Sequence, residues 1–203
     1  MMLDPFYLIV DDAIWLPRFL PLGLKLVQLR IKDRPEAELR AQIAEARAAC
    51  AEYGCQLVIN DHWRLALDLG CDFVHLGQED LDDADVAAIR RAGVRLGVST
   101  HDERELTRAL ALTPDYIALG PVYPTILKAM KWAPQGVEKV TGWKAKLGKV
   151  PLVAIGGLSV ERAPAVYDAG ADSICAVTDV LLAENPEARL TQWLGLAEMR
   201  RAG

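Results

Sequence analysis

Three polar side chains alternate with apolar ones in segment 27–32, which reads VQLRIK. Successive side chains of a β-strand point to opposite faces, so Gln28, Arg30 and Lys32 share one face and the apolar residues share the other. In a closed barrel the apolar face suits the surrounding helices, and the polar face then points inward. An amide and two cations placed this way can attract an anionic group. The alternative is an edge strand whose polar face meets solvent.

Two aspartates follow neighbouring β-rich runs. Asp61 comes directly after the run 56–60, and Asp80 lies shortly after the run 73–76. Since the carboxyl ends of parallel strands share one rim, the two carboxylates are expected on that rim. Mg²⁺ is commonly held by one or two carboxylates together with substrate phosphates. Each aspartate alone is also a common helix N-cap, and it is the pair that favours a metal site.

Further polar residues follow the later runs. Ser99 can offer its hydroxyl to a ligand or cap the next helix, and both interpretations stay open. The loop over 120–136 is long for a compact barrel, and such loops are usually functional. Within it Lys128, with Thr125, can receive a phosphate or diphosphate, unless Lys128 is simply solvated. His75 lies inside a run and is interpreted as a core residue.

The last two runs also end in residues suited to an anion. Gly156 and Gly157 allow the backbone to approach an oxyanion closely, and a helix is expected to begin near Ser159. The final run ends in Val177 and Thr178, before another helix. In eight-stranded parallel barrels these two loops frequently form a phosphate site from backbone N–H groups and a helix N-terminus.

Eight β-rich runs alternate with alanine- and leucine-rich helical segments. The predicted strands are 6–10, 26–30, 56–60, 73–76, 95–98, 116–119, 152–155 and 173–177. Four glycines, expected at helix C′ positions, follow helical segments: Gly54, Gly70, Gly93 and Gly170. This alternation predicts an α/β fold, a single (β/α)8 TIM barrel forming one domain over 1–203. An open doubly wound sheet is the alternative.

Composition restricts the class of protein. The chain has 203 residues, and its formal net charge of −5 argues against general nucleic-acid binding. Charge or proline interrupts every apolar stretch before 18 residues, so no membrane span is expected. The first ten residues lack the basic segment of a secretory signal. The four cysteines form no CxxC pair, which predicts reduced thiols and a cytoplasmic protein without a zinc site.

Seven strings resemble, in order and along nearly the whole chain, the thiamine phosphate synthase family. They are QLRIK, VINDHWRLAL, VHLGQEDL, LGVSTH, DYIALGPVYPT, VAIGGL and AGADSICAV. The resemblance implies a transferase of thiamine biosynthesis that joins an aminopyrimidine methyl diphosphate to a thiazole phosphate and releases diphosphate. It also implies small phosphorylated substrates as partners and Mg²⁺ as cofactor.

The same resemblance assigns roles to residues at the matching positions. Mg²⁺ would be held by Asp61 and Asp80. Diphosphate contacts would come from Arg30, Lys32, Asn60 and Lys128. The pyrimidine or its diphosphate would be positioned by Gln28 and Ser99. The thiazole phosphate would be held by Thr125, Gly157 and the backbone of Val177 and Thr178.

The chain departs from the family pattern in its sixth loop. Leu127 stands where a second threonine is usual, so one hydroxyl is lost, and Met130 and Trp132 are unexpected beside phosphates. Thr178 replaces the usual serine but keeps the hydroxyl. These departures put catalytic efficiency and the thiazole substrate in question.

Three alternatives share the expected phosphate site: a thiazole tautomerase-like barrel, a non-catalytic barrel that senses a phosphorylated ligand, and a sugar-phosphate epimerase. The full set of cations and carboxylates favours the synthase over the first, and no inward acid–base pair supports the last. A homo-oligomer is possible, with Trp132, Trp143 and Trp193 as candidate contacts, although most tryptophans are core residues.

Overall fold

The computed structural model of the chain describes residues 3–125 and 132–202. Its eight strands form a closed barrel in chain order, in which each strand is parallel to its neighbours and the last pairs with the first. The strands are β1 (Phe6–Val10), β2 (Leu26–Leu29), β3 (Gln56–Asn60), β4 (Phe73–Leu76), β5 (Arg95–Thr100), β6 (Tyr116–Leu119), β7 (Leu152–Ile155) and β8 (Ser173–Ala176). The predicted (β/α)8 barrel is confirmed.

Helices connect successive strands. They are α1 (Leu16–Phe19), α2 (Glu36–Glu52), α3 (Trp63–Asp68), α4 (Asp80–Asp83), α5 (Val86–Arg91), α6 (Glu103–Ala111), α7 (Gly136–Leu147), α8 (Ala163–Asp168), α9 (Thr178–Leu181) and α10 (Pro186–Ala202). Short 3-10 turns flank α1 at Ala13–Trp15 and Leu20–Leu22. Across the described residues, no helix has the length and apolarity that crossing a membrane requires.

Three strand ends differ slightly from the predicted ones. β5 continues to Thr100 because Ser99 and Thr100 still pair with residues of β6. β2 ends at Leu29 and β8 at Ala176, one residue earlier than predicted. At the first of these ends the Arg30 amide still donates to the Val10 carbonyl (2.8 Å), so the chain leaves the barrel only beyond that point.

The predicted helix ends are confirmed at the C-termini, but one predicted N-terminus is wrong. The glycines at 54, 70, 93 and 170 have positive φ, as C′ residues do. The helix expected near Ser159 begins only at Ala163. The Ser159 carbonyl accepts hydrogen bonds from the amides of Arg162 and Ala163 (both 3.0 Å), so a turn precedes α8.

Two apolar layers stabilise the barrel. The larger lies between the strands and the helices and includes Trp143 and Trp193, which are 2% and 0% exposed and therefore are not surface contacts. The smaller fills the barrel interior with inward side chains of several strands: Tyr7, Ile9, Leu26, Val58, Phe73, Tyr116, Ala118, Val153 and Cys175. The interior is thus a packed floor below the carboxyl ends of the strands.

Gly97 makes room for Tyr116, one of the two tyrosines of that floor. A Cβ at this position would lie 2.1 Å from Cζ of Tyr116, far inside van der Waals contact. The Tyr116 ring is fully buried and packs edge-on against Tyr7 and Phe73, so it has nowhere to move. Only glycine at position 97 is compatible with the ring.

We therefore expect Gly97→Ala to lower the free energy of unfolding by about 1–3 kcal/mol or more, because overpacking a closed core strains its neighbours. Chemical denaturation of both proteins measures the change. Gly142→Ala is the matched control, since a Cβ there meets nothing within 4 Å and alanine favours the surrounding helix α7. Equal stability of Gly97→Ala and the parent chain would contradict the packing described.

Candidate active site

A cavity of about 1030 Å³ opens at the carboxyl ends of the strands. Its lining includes ten of the residues singled out from the sequence: Arg30, Lys32, Asn60, Asp61, Asp80, Ser99, Thr125, Gly157, Val177 and Thr178. Gln28 lies in the barrel floor and is 2% exposed. Lys128, Leu127 and Met130 lie outside the described residues. The predicted rim is therefore one continuous surface over the part of the chain that the structure describes.

The two cationic side chains that follow β2 differ in their contacts. Lys32 forms an ion pair with Asp61. The guanidinium of Arg30 lines the cavity and has no hydrogen-bond or ion-pair partner among the described residues. His62 donates a hydrogen bond from Nε2 to the Ile31 carbonyl (3.2 Å) and so holds the segment between the two cations. Arg30 is therefore available to an anionic ligand.

The two predicted metal ligands are held by tight backbone geometry. Asp61 has φ +60°, in the left-handed region that aspartate tolerates better than most residues. The Asp80 carboxylate accepts a hydrogen bond from the Gly77 amide (3.1 Å), and a Cβ on Gly77 would lie 2.8 Å from that carboxylate. Neither aspartate caps a helix, because α3 follows His62 and α4 begins at Asp80 itself.

The Asp61 and Asp80 carboxyls shift each other's pKa. Burial tends to raise the pKa of Asp61, but the hydrogen bond and charge of Lys32 and a hydrogen bond with Asp80 together lower it. Burial and the charge of Asp61 raise the pKa of Asp80. Two neighbouring carboxyls repel when both are ionised, and a bound divalent cation would remove that repulsion. The donor set therefore fits Mg²⁺.

The described residues hold no cluster of three or more histidine, cysteine, aspartate or glutamate side chains placed for a metal. Two carboxylates alone are too few to enclose a cation. Mg²⁺ bound here would keep positions for water and for ligand phosphate oxygens, as it does in many phosphate-binding enzymes.

Polar side chains cross the barrel floor under the cavity. The hydroxyl of Tyr7 receives a hydrogen bond from the Gln28 amide (2.8 Å) and lies 3.1 Å from the Tyr116 hydroxyl. The Tyr116 hydroxyl lies 2.7 Å from Nδ1 of His75, and His75 Nε2 lies 2.8 Å from Oγ of Ser99. Burial lowers the pKa of His75 to about 4, so its imidazole is neutral at pH 7.

The structure distinguishes the two interpretations of Ser99, as a helix cap or as a ligand contact. The next helix, α6, is capped by Asp102, whose carboxylate accepts from the Glu105 amide (2.9 Å). Ser99 therefore does not cap α6, and its hydroxyl lies at the cavity. His75 is buried, as expected, but it is a hydrogen-bonded member of the floor and also lines the cavity.

The loops after β6 and β7 pack directly on one another. The amides of Val122 and Tyr123 donate to the carbonyls of Ile155 (2.9 Å) and Gly156 (3.0 Å). Gly157 has φ +63°, and a Cβ there would lie 2.3 Å from the Pro124 carbonyl oxygen. This position therefore requires glycine, and its backbone lines the cavity beside Thr125.

An ion cluster secures the neighbouring start of α9. Arg189 binds both carboxylate oxygens of Asp179 (2.8 and 2.9 Å) and also the carboxylate of Glu161. Trp193 donates its indole N–H to Asp179 (2.8 Å). These contacts join α10 to α9 and to the turn before α8. They thereby fix the position of Thr178, the first residue of α9.

Trp132, which the sequence makes unexpected beside phosphates, does line the cavity. Its indole stacks on the His101 ring, with centroids 5.5 Å apart and an angle of 7° between planes. His101 is fixed by Glu105 (2.8 Å). The cavity therefore has a flat aromatic wall on this side.

Sequence reasoning missed several lining or floor residues. Tyr7 and Tyr116 are inward in β1 and β6, but both faces of these strands are apolar in sequence, so no polar alternation marked them. Gln78 lines the cavity and donates to the Ser99 carbonyl (2.7 Å), and it lies in a string already singled out. Arg104, also on the cavity wall, carried no such signal.

Comparisons with known proteins were made for sequence and for structure. The family described as Thiamine monophosphate synthase matches residues 6–180. The thiamine-phosphate synthase of Rhizobium etli is 66% identical over 194 residues, covering 96% of this chain and 95% of that protein. The thiamine-phosphate synthase of Cronobacter sakazakii is 49% identical over 191 residues, covering 94% and 91%. A thiamine phosphate pyrophosphorylase structure from Pyrococcus furiosus superposes with a TM-score of 0.86 at 26% identity, covering 97% and 96%.

Proposed function

The chain belongs to the thiamine monophosphate synthase family and is a transferase that forms thiamine phosphate; we propose that it works with Mg²⁺ bound at Asp61 and Asp80. Its substrates are an aminopyrimidine methyl diphosphate and a thiazole phosphate, and diphosphate is the second product. The observation that carries the proposal is one rim on which the two carboxylates and the Arg30 guanidinium, which has no partner among the described residues, line the same cavity.

The reaction exchanges one bond for another. The bond between the pyrimidine methylene carbon and the diphosphate oxygen breaks, and its electron pair leaves with diphosphate. The electron-rich pyrimidine ring stabilises the resulting cation. The lone pair of the thiazole nitrogen then forms the new carbon–nitrogen bond. No proton has to move, so a site without a nucleophile or a general base suffices, provided that it orients the reactants and stabilises charge.

Diphosphate departure is assisted by the cationic side of the cavity. Arg30 presents several N–H donors in the planar arrangement that suits phosphate oxygens. Lys32 shares its charge between Asp61 and the arriving diphosphate. Asn60, 5% exposed at the end of β3, adds an amide donor. Lys128 completes this set as a prediction that rests on the sequence alone.

The bound cation would supply neutralisation of the charge that develops on the leaving diphosphate oxygens. Asp61 and Asp80 would hold it in the cavity that Arg30 also lines, and together these residues would orient the substrate diphosphate before the bond breaks. The ion pair between Lys32 and Asp61 keeps that carboxyl ionised and ready to bind metal.

The two rings occupy different parts of the cavity. Ser99 at the cavity positions the pyrimidine or its diphosphate, and Gln28 acts from the floor below, where its amide donates to the Tyr7 hydroxyl. The thiazole phosphate lies against Thr125, Gly157 and the backbone of Val177 and Thr178, where a glycine with positive φ lets the ligand approach closely. Reaction then occurs between the floor and this loop pair.

The test is product formation from both purified substrates, with Mg²⁺ or with a chelator, read after oxidation to fluorescent thiochrome. We expect product with Mg²⁺ and a large loss with chelator. Isomerisation of the thiazole phosphate alone, without coupling, would indicate a tautomerase. Binding of the thiazole phosphate without turnover would indicate a sensor. Either result would overturn the proposal.

A further inference from the structure

Five polar side chains form a continuous hydrogen-bonded chain across the barrel floor, in the order Gln28, Tyr7, Tyr116, His75 and Ser99. The contacts are 2.8, 3.1, 2.7 and 2.8 Å long. These residues come from five different strands: β2, β1, β6, β4 and β5. Four of the five are at most 7% exposed, and Ser99 alone is half-buried at the cavity. The chain of contacts therefore runs from the buried interior to the ligand cavity.

The direction of each hydrogen bond follows from counting donors. Gln28 donates through its Nε2 to the Tyr7 hydroxyl. Among the described residues, the Tyr7 hydroxyl has only one further hydrogen-bond partner, the Tyr116 hydroxyl. A buried O–H without an acceptor is costly, so Tyr7 must donate to Tyr116.

The same argument fixes the remaining contacts. Tyr116 accepts from Tyr7 and must place its own proton on Nδ1 of His75. With Nδ1 occupied as an acceptor, the neutral imidazole carries its proton on Nε2 and donates it to Oγ of Ser99. A proton on Nδ1 would instead turn Tyr116 back toward Tyr7 and leave the Tyr7 proton unpaired.

We propose that this chain of hydrogen bonds is polarised in one direction, which makes Ser99 an obligate donor to the ligand. Ser99 Oγ is occupied as an acceptor by His75, so its hydroxyl proton points to the cavity, where the ligand must supply an acceptor atom. This inference rests on the proposed function, in which that ligand is the pyrimidine diphosphate. A nitrogen of the pyrimidine ring or an oxygen of the diphosphate satisfies the requirement, and an N–H group at that point does not.

Tyr116, Tyr7 and His75 are accordingly positioning residues that act through Ser99. Gly97 is required for the same hydrogen bonds, because any side chain at that position would displace the Tyr116 ring, which lies in the middle of the series. Ser99 lies at the cavity end of these hydrogen bonds, and Gln28 lies at their buried end. The two tyrosines and His75 therefore connect the buried Gln28 amide to the hydroxyl that contacts the substrate.

The first experiment measures the tautomer of His75 without any substrate. Two-bond ¹H–¹⁵N correlation spectra of the labelled protein distinguish the protonated from the unprotonated ring nitrogen of each of the three histidines. His75→Gln identifies the His75 signals by their disappearance. The proposal predicts a neutral ring protonated at Nε2. A ring protonated at Nδ1 would overturn the proposal. The Tyr7 proton would then be accepted either by Oε1 of a Gln28 amide in the opposite orientation or by a water in the adjoining cavity of about 20 Å³.

The second experiment compares two tyrosine variants. Tyr116→Phe interrupts the series of hydrogen bonds at its centre. Tyr167→Phe removes another largely buried hydroxyl, which donates to the Pro5 carbonyl (2.8 Å) and takes no part in that series. For Tyr116→Phe, the KM for the pyrimidine diphosphate should rise about five- to tenfold, the equivalent of one neutral hydrogen bond. The KM for the thiazole phosphate should not change, and the His75 ring should lose its single tautomer.

The outcomes test the positioning role of Tyr116 and the proposed function separately. Identical kinetics for Tyr116→Phe and Tyr167→Phe would reduce the chain to a structural feature and overturn the positioning role. A parent enzyme that forms no thiamine phosphate would instead contradict the proposed function. The tautomer of His75, measured without substrate, would still determine the direction of the hydrogen bonds.

Discussion

Replacing Arg30 by alanine is expected to lower kcat/KM by about 100- to 1000-fold, because the variant loses a preorganised donor to the leaving diphosphate. The melting temperature should stay within a few degrees of the parent value. Arg30 has no hydrogen-bond or ion-pair partner among the described residues, so its removal leaves no protein group unpaired. Thiochrome-detected kinetics and a thermal melt of the same samples provide both numbers.

Arg34→Ala is the matched control for this variant. Arg34 lies a few residues further along the same loop, is exposed, and pairs with Glu38 (3.6 Å) away from the cavity lining. We expect kinetics close to those of the parent chain, since an exposed ion pair contributes little. If Arg30→Ala kept normal turnover but melted much earlier, Arg30 would be a structural residue.

Replacing Asp80 by asparagine is expected to have an effect of similar size, with a different signature. The variant keeps the shape of the side chain but loses half of the proposed metal-binding charge, so turnover at fixed Mg²⁺ should fall about 100-fold. The Mg²⁺ concentration that gives half of the maximal rate should rise as well. A titration of activity against Mg²⁺ measures both effects.

Asp82→Asn is the control for metal binding. Asp82 belongs to the same short helix α4 and lines the same cavity, but its carboxylate pairs with Arg108 (2.6 Å). This variant should keep the Mg²⁺ requirement of the parent enzyme. An unchanged Mg²⁺ titration for Asp80→Asn would exclude Asp80 as a ligand.

The barrel could be predicted from the sequence because each strand is short and has a clear local boundary. The run 73–76, for example, follows helix α3, after which Gly70 has positive φ, and it is bounded by Asp72 and Gly77. The predicted start near Ser159 failed because a turn of 160–162 uses the Ser159 carbonyl twice before α8 begins. Local sequence does not distinguish such a turn from a first helical turn.

The rim of the site was predictable for a related reason. Strand alternation places Arg30 and Lys32 on the inward face, and the topology brings Asp61 and Asp80 to the same edge. The raised pKa of Asp80 was not predictable, because it depends on burial and on the charge of Asp61 in the folded chain.

The hydrogen-bonded floor was beyond sequence reasoning. Tyr7 and Tyr116 are 109 residues apart, and a tyrosine at an inward strand position is typical of an ordinary core residue. Their contact depends on the closure of the barrel and on the absence of a side chain at Gly97. The link between Arg189 and Asp179 joins two helices in the same way, through a packing arrangement that no spacing rule specifies.

Stoichiometry in a single turnover tests the central claim most directly. Enzyme in excess over the pyrimidine diphosphate, with Mg²⁺ and thiazole phosphate, is quenched over time, and thiamine phosphate and diphosphate are quantified in the same samples. The account predicts that both products appear at one rate and in equal amounts, and that chelation of Mg²⁺ slows both together. Diphosphate released without thiamine phosphate, or full activity in the presence of chelator, would contradict it.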